Sequence, residues 1–505
     1  MTQSTFVPRR HRIAWGAAAI VLIAISMVSV PVPRAFAQQN DQASADARKY
    51  LELLNNTFRF VLQSYVDQPD PKKLYEGAMK GIFESLGDPY SVFLDEQMMS
   101  DMTELTSGQF GGVGLYISKQ LRDPKKPEDE PRYIEIVSPI EDTPGWKYGL
   151  KAGDLIIKID GETTAPLSTD EAQKRIRGKP DSNVTLTIRR PGLEDFDATI
   201  GRARIEVPTV KHALIPTPKG NVGYLRIIEF TAQTKARVED SIRDFEKTGY
   251  RALVIDVRND PGGLLQSVID VANYFIDSGV IVSTKSRNAY ENSVARAKPG
   301  IAISGSKPIV ILLNKGSASA SEILAGALKD NKRAYLVGEN SYGKGSVQQI
   351  YPIDGTGFKI TIARYYTPSD ENIDKTGIPP DLEAKEPDLS KAETDSLQKL
   401  FDSGRISEIS SSWASKTAAE KTAVSKEFGL PENLLARLAK DEANRKSPKP
   451  PVYDLEYDVA LKAALDVIDR PDYQQLLAAT KTVKELVEAK KAAQALAAPA
   501  PAAKP

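Results

Sequence analysis

The sequence predicts a multidomain α/β protein with helical segments towards both ends. Strands and helices alternate over residues 205–385, short glycine-bounded strands fill residues 105–191, and apolar residues recur at helical spacing over residues 43–104. Alternating strands and helices are typical of layered α/β architecture. With 505 residues, of which 41% are hydrophobic, the chain has room for about three domains with buried cores.

Composition excludes several classes of function. The 67 basic side chains balance the 67 acidic ones, so no overall field attracts nucleic acid or anionic membranes. The absence of cysteine excludes disulfides, thiolate nucleophiles and zinc–thiolate sites. The chain has two histidines, His11 and His212, which is too few for a histidine-rich metal site. A Ser-His-Asp triad would need one of these two residues.

The N-terminus has the pattern of an export signal. Basic residues at 9–12 precede an uncharged apolar stretch at 13–30 and an Ala-Phe-Ala site that ends at Ala37. The apolar stretch is near the lower length limit for a membrane span, so an uncleaved inner-membrane anchor is the alternative to cleavage after Ala37. Either case places Gln38 onward in the periplasm or cell envelope, and cleavage would remove His11.

The pattern of elements divides the chain into six segments. Residues 38–104 are a helical lead-in or a dimerisation arm, and a helix capped by Ser168 or Thr169 is expected within 105–191. In the next segment we expect strands at 222–227, 252–256, 308–313 and 335–337, with helices at 235–247, 264–275 and 321–329. Helical patterning recurs near 456–468 and 473–493. The segments are a signal peptide (1–37), an N-terminal helical region (38–104), a strand-rich domain (105–191), an α/β core (192–385), a C-terminal helical region (386–496) and a disordered Ala/Pro tail (497–505).

A serine-rich loop joins an apolar strand to a helix at residues 309–324. A serine at this junction lies near free helix N–H groups and the positive end of the helix dipole, which would stabilise an oxyanion. The alternative is a simple helix cap, in which Ser317, Ser319 or Ser321 satisfies the first turn and Glu322 completes it.

A second candidate group is Lys344, which stands between two glycines after another strand. A solvated lysine is the ordinary interpretation. A general base would require its pKa to fall by about three units, which corresponds to about 4 kcal/mol. A Ser-Lys pair activates a serine without histidine, and Gln348 could orient the amine or be an ordinary polar strand residue.

A third candidate is the turn at residues 256–263, where Pro261-Gly262-Gly263 follows a buried strand. Its exposed N–H groups suit an oxyanion hole or a tight structural turn.

Together these segments resemble the carboxyl-terminal processing peptidases, the tail-specific serine peptidases of the S41 type. The resemblance covers about 105–385 and rests on four motifs in the family's order, at 258–263, 316–322, 343–348 and 377–381. It implies a PDZ-like β-rich domain at 105–191 and a ClpP/crotonase-like α/β peptidase core at 192–385.

The resemblance also implies roles for particular residues. Ser319 is the nucleophile, Lys344 the general base and Gln348 the residue that orients the lysine. The N–H groups of Gly262 and Ala320 form the oxyanion hole. Asp260 stands where many relatives have asparagine, and we expect its side chain to lie outside this hole.

In the PDZ-like domain, the matching loop is Gly112-Val113-Gly114-Leu115, which receives the C-terminal carboxylate of a substrate. Arg177 matches an arginine that couples peptide binding to activation in some relatives; a surface arginine is the alternative. The family implies no metal and no cofactor, and its substrates are proteins or peptides with exposed C-termini. An adaptor protein and a homo-oligomer both stay open.

Two other functions compete with a Ser-Lys peptidase. One is a non-catalytic PDZ scaffold that binds C-terminal tails in the cell envelope. The other is a conventional serine hydrolase that uses His212, which lies far in sequence from any matching motif.

Overall fold

The computed structural model describes residues 41–119, 131–140, 142–300, 303, 305–385, 389–445, 447 and 450–497. The expected signal peptide and residues 498–505 of the expected tail lie outside this part of the chain. Within it, no helix combines the length and the apolarity needed to cross a membrane. The chain divides into two compact units, residues 1–86 and 87–505.

The described part of the first unit, residues 41–86, contains two helices, α1 (Asp41–Ser64) and α2 (Pro71–Glu84). Asp70 caps α2 by accepting a hydrogen bond from the Lys72 N–H at 2.8 Å, and Pro71 fits the first turn because that turn needs no N–H donor.

The second unit contains a strand-rich domain. Its central sheet has the order β3-β4-β5-β7-β8, which leaves β3 at an edge, and β6 pairs with β5. The sequence left Ser168 and Thr169 as alternative caps of a helix, and in the structure Ser168 caps α5 in a capping box with Glu171. Before this domain come β1 (Val92–Leu94), which belongs to a sheet of the α/β core, and α3 (Glu96–Ser107). The elements that follow are β2 (Gln109–Gly112), β3 (Leu115–Lys119), β4 (Ile134–Pro139), α4 (Pro144–Tyr148), β5 (Leu155–Ile159), β6 (Glu162–Thr163), α5 (Thr169–Ile176), β7 (Asn183–Arg189), β8 (Phe196–Gly201) and β9 (Ala203–Glu206).

The α/β core is built on a six-stranded sheet with the order β10-β11-β12-β15-β16-β19. Every neighbouring pair is parallel except β10 with β11. Strands β12 and β15 are buried along their whole length, as strands covered on both faces must be. The elements are β10 (Val210–Ile215), β11 (Val222–Ile227), α6 (Thr234–Thr248), β12 (Ala252–Asp256), α7 (Leu265–Ala272), β13 (Val280–Lys285), β14 (Ser293–Arg296), β15 (Ile309–Leu313), α8 (Ala320–Asp330), β16 (Tyr335–Gly338), β17 (Ser346–Ile353), β18 (Thr356–Tyr366) and β19 (Leu382–Glu383).

A second sheet of the core is antiparallel and has the order β1-β18-β13-β14, with β17 paired to β18. The hairpin of β17 and β18 follows the loop that carries Lys344. This sheet therefore fixes the position of that loop relative to the parallel sheet.

The C-terminal region forms seven helices among the described residues. The first four enclose a small hydrophobic core of their own around Leu400, Ile409 and Leu435. The last three bury apolar side chains in the two cores of the α/β sheet. The helices are α9 (Lys391–Asp402), α10 (Arg405–Ser412), α11 (Ala418–Phe428), α12 (Glu432–Arg445), α13 (Val459–Ile468), α14 (Tyr473–Ala478) and α15 (Val483–Ala497).

Candidate active site

The three candidate motifs follow three adjacent strands of the parallel sheet. Gly262 comes after β12, Ser319 after β15 and Lys344 after β16, and β15 pairs with both of the other strands. Because the carboxyl ends of neighbouring parallel strands meet at one edge of a sheet, the three loops converge there.

Gly262 lies directly against the serine turn. A Cβ placed at this glycine, whose φ is +103°, would lie 2.8 Å from the Ser319 Cβ and 2.8 Å from the Ala320 nitrogen. Such contacts leave no room for a side chain, so glycine is required for this close approach. The Ala320 N–H belongs to the first turn of α8, whose N–H groups have no partner inside the helix. The structure thus brings Gly262, Ser319 and Ala320 together.

The three serines of the loop have different surroundings. Ser317 and Ser321 are buried, and their hydroxyls donate to the carbonyls of Val257 at 2.7 Å and Asp260 at 3.0 Å. Ser319 is partly accessible and has a φ of +56°, which is unusual for a residue with a side chain. The geometry therefore singles out Ser319 as the serine that a substrate could reach.

The carboxylate of Glu322 joins the serine turn to the lysine loop. Its Oε2 accepts the backbone N–H groups of Ser319 at 2.8 Å and Lys344 at 2.9 Å, and its Oε1 accepts the N–H of Gly343 at 2.7 Å. The Ser341 hydroxyl also donates to it. Burial raises the pKa of this carboxyl, against the effect of these donors. The sequence pattern indicates Glu322 only as a possible helix cap, because its contact with the lysine loop depends on the tertiary fold.

Lys344 is half-buried, with its Nζ 5.0 Å from the centroid of the Tyr90 ring. Burial and the neighbouring charge of Lys359 lower the pKa of this amine, while Glu322 and Asp88 oppose the shift. A lowered pKa is the direction that a general base requires. Among the described residues, no hydrogen bond joins the Lys344 amine to the Ser319 hydroxyl, and such bonds often form only in the substrate complex.

Gln348 lies on β17, and its amide nitrogen donates to the hydroxyls of Ser346 at 2.9 Å and Thr361 at 3.2 Å. Within the described part of the chain it makes no hydrogen bond to Lys344. The structure therefore does not bring the amide nitrogen of Gln348 to the lysine amine.

His212 lies on β10 and has partners on α6. Its Nδ1 is 3.0 Å from the Ser241 hydroxyl, and its Nε2 is 3.5 Å from a carboxylate oxygen of Asp244. This looks like a Ser-His-Asp arrangement, but Ser241 is buried and its hydroxyl donates to the Arg237 carbonyl at 2.7 Å. The arrangement therefore lacks an accessible nucleophile.

A groove of about 300 Å³ lies between β3 and α5, and the expected carboxylate loop lines it. Since β3 is an edge strand, a peptide could add to it as a further strand. Arg177 also lines the groove, where its guanidinium lies 4.4 Å from the Phe110 ring centroid and donates to Glu104 of α3 at 2.8 Å. The predicted residues in the lining are Gly112, Val113, Gly114, Leu115 and Arg177.

The described residues contain no group of three or more His, Asp or Glu side chains that could hold a metal ion. The fold and the converging loops define a multidomain α/β protein with a candidate serine site and a separate peptide groove.

Comparisons with known proteins identify the family to which the chain belongs. The model of peptidase family S41 matches residues 221–384, that of the PDZ domain matches 135–190, and that of the activating protease CtpB N-terminal domain matches 18–98. A carboxy-terminal-processing protease of Bartonella bacilliformis is 41% identical over 347 residues, which cover 67% of this chain and 76% of that protein. The carboxy-terminal processing protease CtpB of Bacillus subtilis is 36% identical over 358 residues, 70% of this chain and 71% of that protein.

Among solved structures, a photosystem II D1 C-terminal processing protease matches with 27% identity and a TM-score of 0.40, covering 69% of this chain and 96% of that chain. The chain belongs to the S41 family of carboxy-terminal processing peptidases. It is therefore a serine peptidase whose substrates are proteins, and it carries a PDZ domain.

Proposed function

We propose that Ser319 and Lys344 form the catalytic pair of this peptidase, with the N–H groups of Gly262 and Ala320 as the oxyanion hole. The observation that carries the proposal is the Glu322 carboxylate, which holds the backbone of Ser319 and of Lys344 through hydrogen bonds to one oxygen. The serine turn and the lysine loop are thereby held in fixed positions relative to each other, which a nucleophile and its general base require.

The proposed reaction has four steps. Neutral Lys344 takes the proton of the Ser319 hydroxyl, and the serine oxygen attacks the peptide carbonyl. The N–H groups of Gly262 and Ala320 stabilise the oxyanion. Lys344 returns the proton to the leaving amine, and water hydrolyses the acyl-enzyme.

We assign substrate selection to the groove between β3 and α5. A substrate C-terminus adds to the edge of β3, and its carboxylate meets the N–H groups of residues 112–115. The carbonyls of Val113 and Gly114 accept from Gly145 at 2.7 Å and Ile140 at 2.9 Å, which holds this loop in place. Arg177 connects the groove to α3 through Glu104, so we assign to it the coupling of peptide binding to activation.

Two further assignments belong to the same proposal. Gln348 uses its amide nitrogen for Ser346 and Thr361, which leaves its carbonyl oxygen to accept from the Lys344 amine. The enzyme is exported and acts in the cell envelope on proteins with exposed C-terminal tails.

The test is cleavage of an unfolded protein, β-casein, by the purified wild type, by Ser319→Ala and by His212→Gln. We expect fragments from the wild type and from the histidine variant, and none from the serine variant. Cleavage by Ser319→Ala would overturn the assigned nucleophile, and loss of cleavage in His212→Gln would favour the histidine hydrolase. Wild-type protein that binds C-terminal peptides but cleaves nothing, alone or with co-purified partners, would favour the scaffold.

A further inference from the structure

The Gly262 N–H, one of the two proposed oxyanion donors, already has a partner. It donates to Oδ1 of Asp260 at 2.9 Å, and Asp260 is fully buried. The side chain that the sequence led us to expect outside the oxyanion hole thus contacts one of the two proposed donors. The tight turn at Pro261 and Gly262 folds the carboxyl back onto the N–H two residues later.

The surroundings of the Asp260 carboxyl disfavour a negative charge. Its Oδ2 is buried without a hydrogen-bond partner, and among the described residues no cation pairs with it. The acidic groups that face it are Glu229, which follows β11, and Asp256 at the end of β12, whose charge is paired with Arg258. From α8, the Ser321 hydroxyl donates to the backbone carbonyl of Asp260. Burial is the main effect that raises the pKa of Asp260, hydrogen bonds from Gly262 and Ser321 oppose it, and Glu229 and Asp256 add to it. The net result is a pKa raised to about 8.

We propose that Asp260 is a positioning residue that controls the oxyanion hole: the Gly262 N–H serves the oxyanion only while the Asp260 carboxyl is neutral. The role rests on the proposed function, because it needs Gly262 to be an oxyanion donor. Asp260 itself touches neither the substrate nor Ser319 in this role.

Two physical effects support the role. A carboxylate accepts a hydrogen bond more strongly than a neutral carboxyl does, so ionised Asp260 holds the Gly262 N–H away from the substrate. A negative charge beside the hole also opposes the charge that develops on the substrate oxygen in the transition state. The neutral carboxyl avoids both effects. Asn at this position resembles the neutral form in shape and charge.

The first test is the pH dependence of kcat/KM for β-casein. We expect wild-type activity to fall about tenfold per pH unit above about pH 8, and Asp260→Asn to stay level there. Glu229→Gln should move the wild-type decline to lower pH, since removing that negative charge lowers the pKa of Asp260. The matched control is Asp277→Asn, the same change at an exposed aspartate, which should follow the wild type.

The second test is the free energy of unfolding against pH, which does not depend on activity. A carboxyl with a raised pKa in the folded state stabilises the protein at low pH, and this contribution is lost as the pH rises from about 4 to about 8. The stability of Asp260→Asn relative to the wild type should therefore increase over that window and stay constant above it.

A relative stability that does not change with pH, or an alkaline decline shared by the wild type and Asp260→Asn, would overturn the role of Asp260. If Ser319→Ala cleaves as well as the wild type, the proposed function itself fails, which is a different result.

Discussion

A lysine acts as a general base only in the fraction of molecules whose amine has lost its proton. Burial and the positive charge of Lys359 lower the pKa of Lys344 and so increase this fraction. The carboxylates of Glu322 and Asp88 oppose the shift by raising the pKa. Because the amine is charged below its pKa, we expect activity to fall as the solution becomes acidic. The acidic side of the pH profile should therefore report on the surroundings of Lys344.

Replacing Lys359 by Gln should move this acidic decline to higher pH, since removing a neighbouring positive charge raises the pKa of Lys344. Lys344→Arg should lose at least about 100-fold in kcat, because arginine does not deprotonate. The measurement is kcat against pH, with Lys298→Gln, at an exposed lysine, as the control. A kcat of the arginine variant close to that of the wild type would contradict the role of Lys344 as the base.

Glu322 is a second single residue on which the proposed site depends, and it acts through hydrogen bonds from backbone N–H groups. In Glu322→Gln the amide can present an N–H group to the N–H groups of Ser319 and Lys344, so the two loops should separate. We expect kcat to fall about 100-fold with little change in KM, because a small displacement of the catalytic groups is costly. Glu339→Gln, at a carboxylate paired with the exposed Lys315, is the control. Equal values of kcat in the two variants would show that Glu322 is only a helix cap.

At the scale of elements, helix α8 is fixed at both ends. Ser319 is its N-cap, and in its last turn the fully buried Lys329 forms an ion pair with Asp381. Asp381 also accepts the backbone N–H of Leu336 on β16 at 2.9 Å. Asp381, the last residue of the 377–381 motif, thus attaches α8 to the parallel sheet. This structural role accounts for a motif that contains none of the proposed catalytic residues.

Asp381→Ala should lower the free energy of unfolding by about 3–5 kcal/mol, because it leaves the ammonium of Lys329 buried without its partner. The double variant Lys329→Met with Asp381→Leu should be much closer to the wild type, since it removes both charges. Chemical denaturation followed by circular dichroism measures the difference. If the double variant were as unstable as the single one, the unpaired charge would not be the cause.

At the scale of the whole molecule, the family model ends at residue 384, but the α/β core does not. Leu461 and Val467 of α13 are buried in one core of the sheet, and Val483 and Val487 of α15 in the other. Arg258, in the motif at residues 258–263, donates to Asp458 at the start of α13 at 2.8 Å. The C-terminal helices therefore complete the peptidase core.

Leu461→Ala should destabilise the whole core by about 2–5 kcal/mol, the usual cost of a large cavity at a fully buried leucine. Leu455→Ala, at a leucine that is 38% exposed, should cost far less. Denaturant unfolding of both variants gives the comparison. Equal effects would mean that α13 does not contribute to the stability of the core.

The sequence by itself predicted where strands of the core lie, and the expected bounds agree with those of β11 and β12 at both ends. It also located the three candidate motifs, because strands and tight turns follow from local patterns of apolar residues, glycine and serine. The long helix expected near 473–493 is divided into α14 and α15. The sequence predicted a helical region over 386–496 but no bounds for α9 and α11, although Ser390 with Glu393 and Thr417 with Glu420 form capping boxes that mark their starts.

Only the tertiary structure decided the contacts between loops that are distant in sequence. The antiparallel sheet of β13 and β18 depends on pairing across about 80 residues, which no local pattern specifies. The link from Glu322 to Lys344 and the effect of burial on Asp260 depend on which groups the fold brings together. Residue types determine which chemical groups are available. Distances and burial determine which of these groups carry charge, and both distances and burial are set only when the chain has packed.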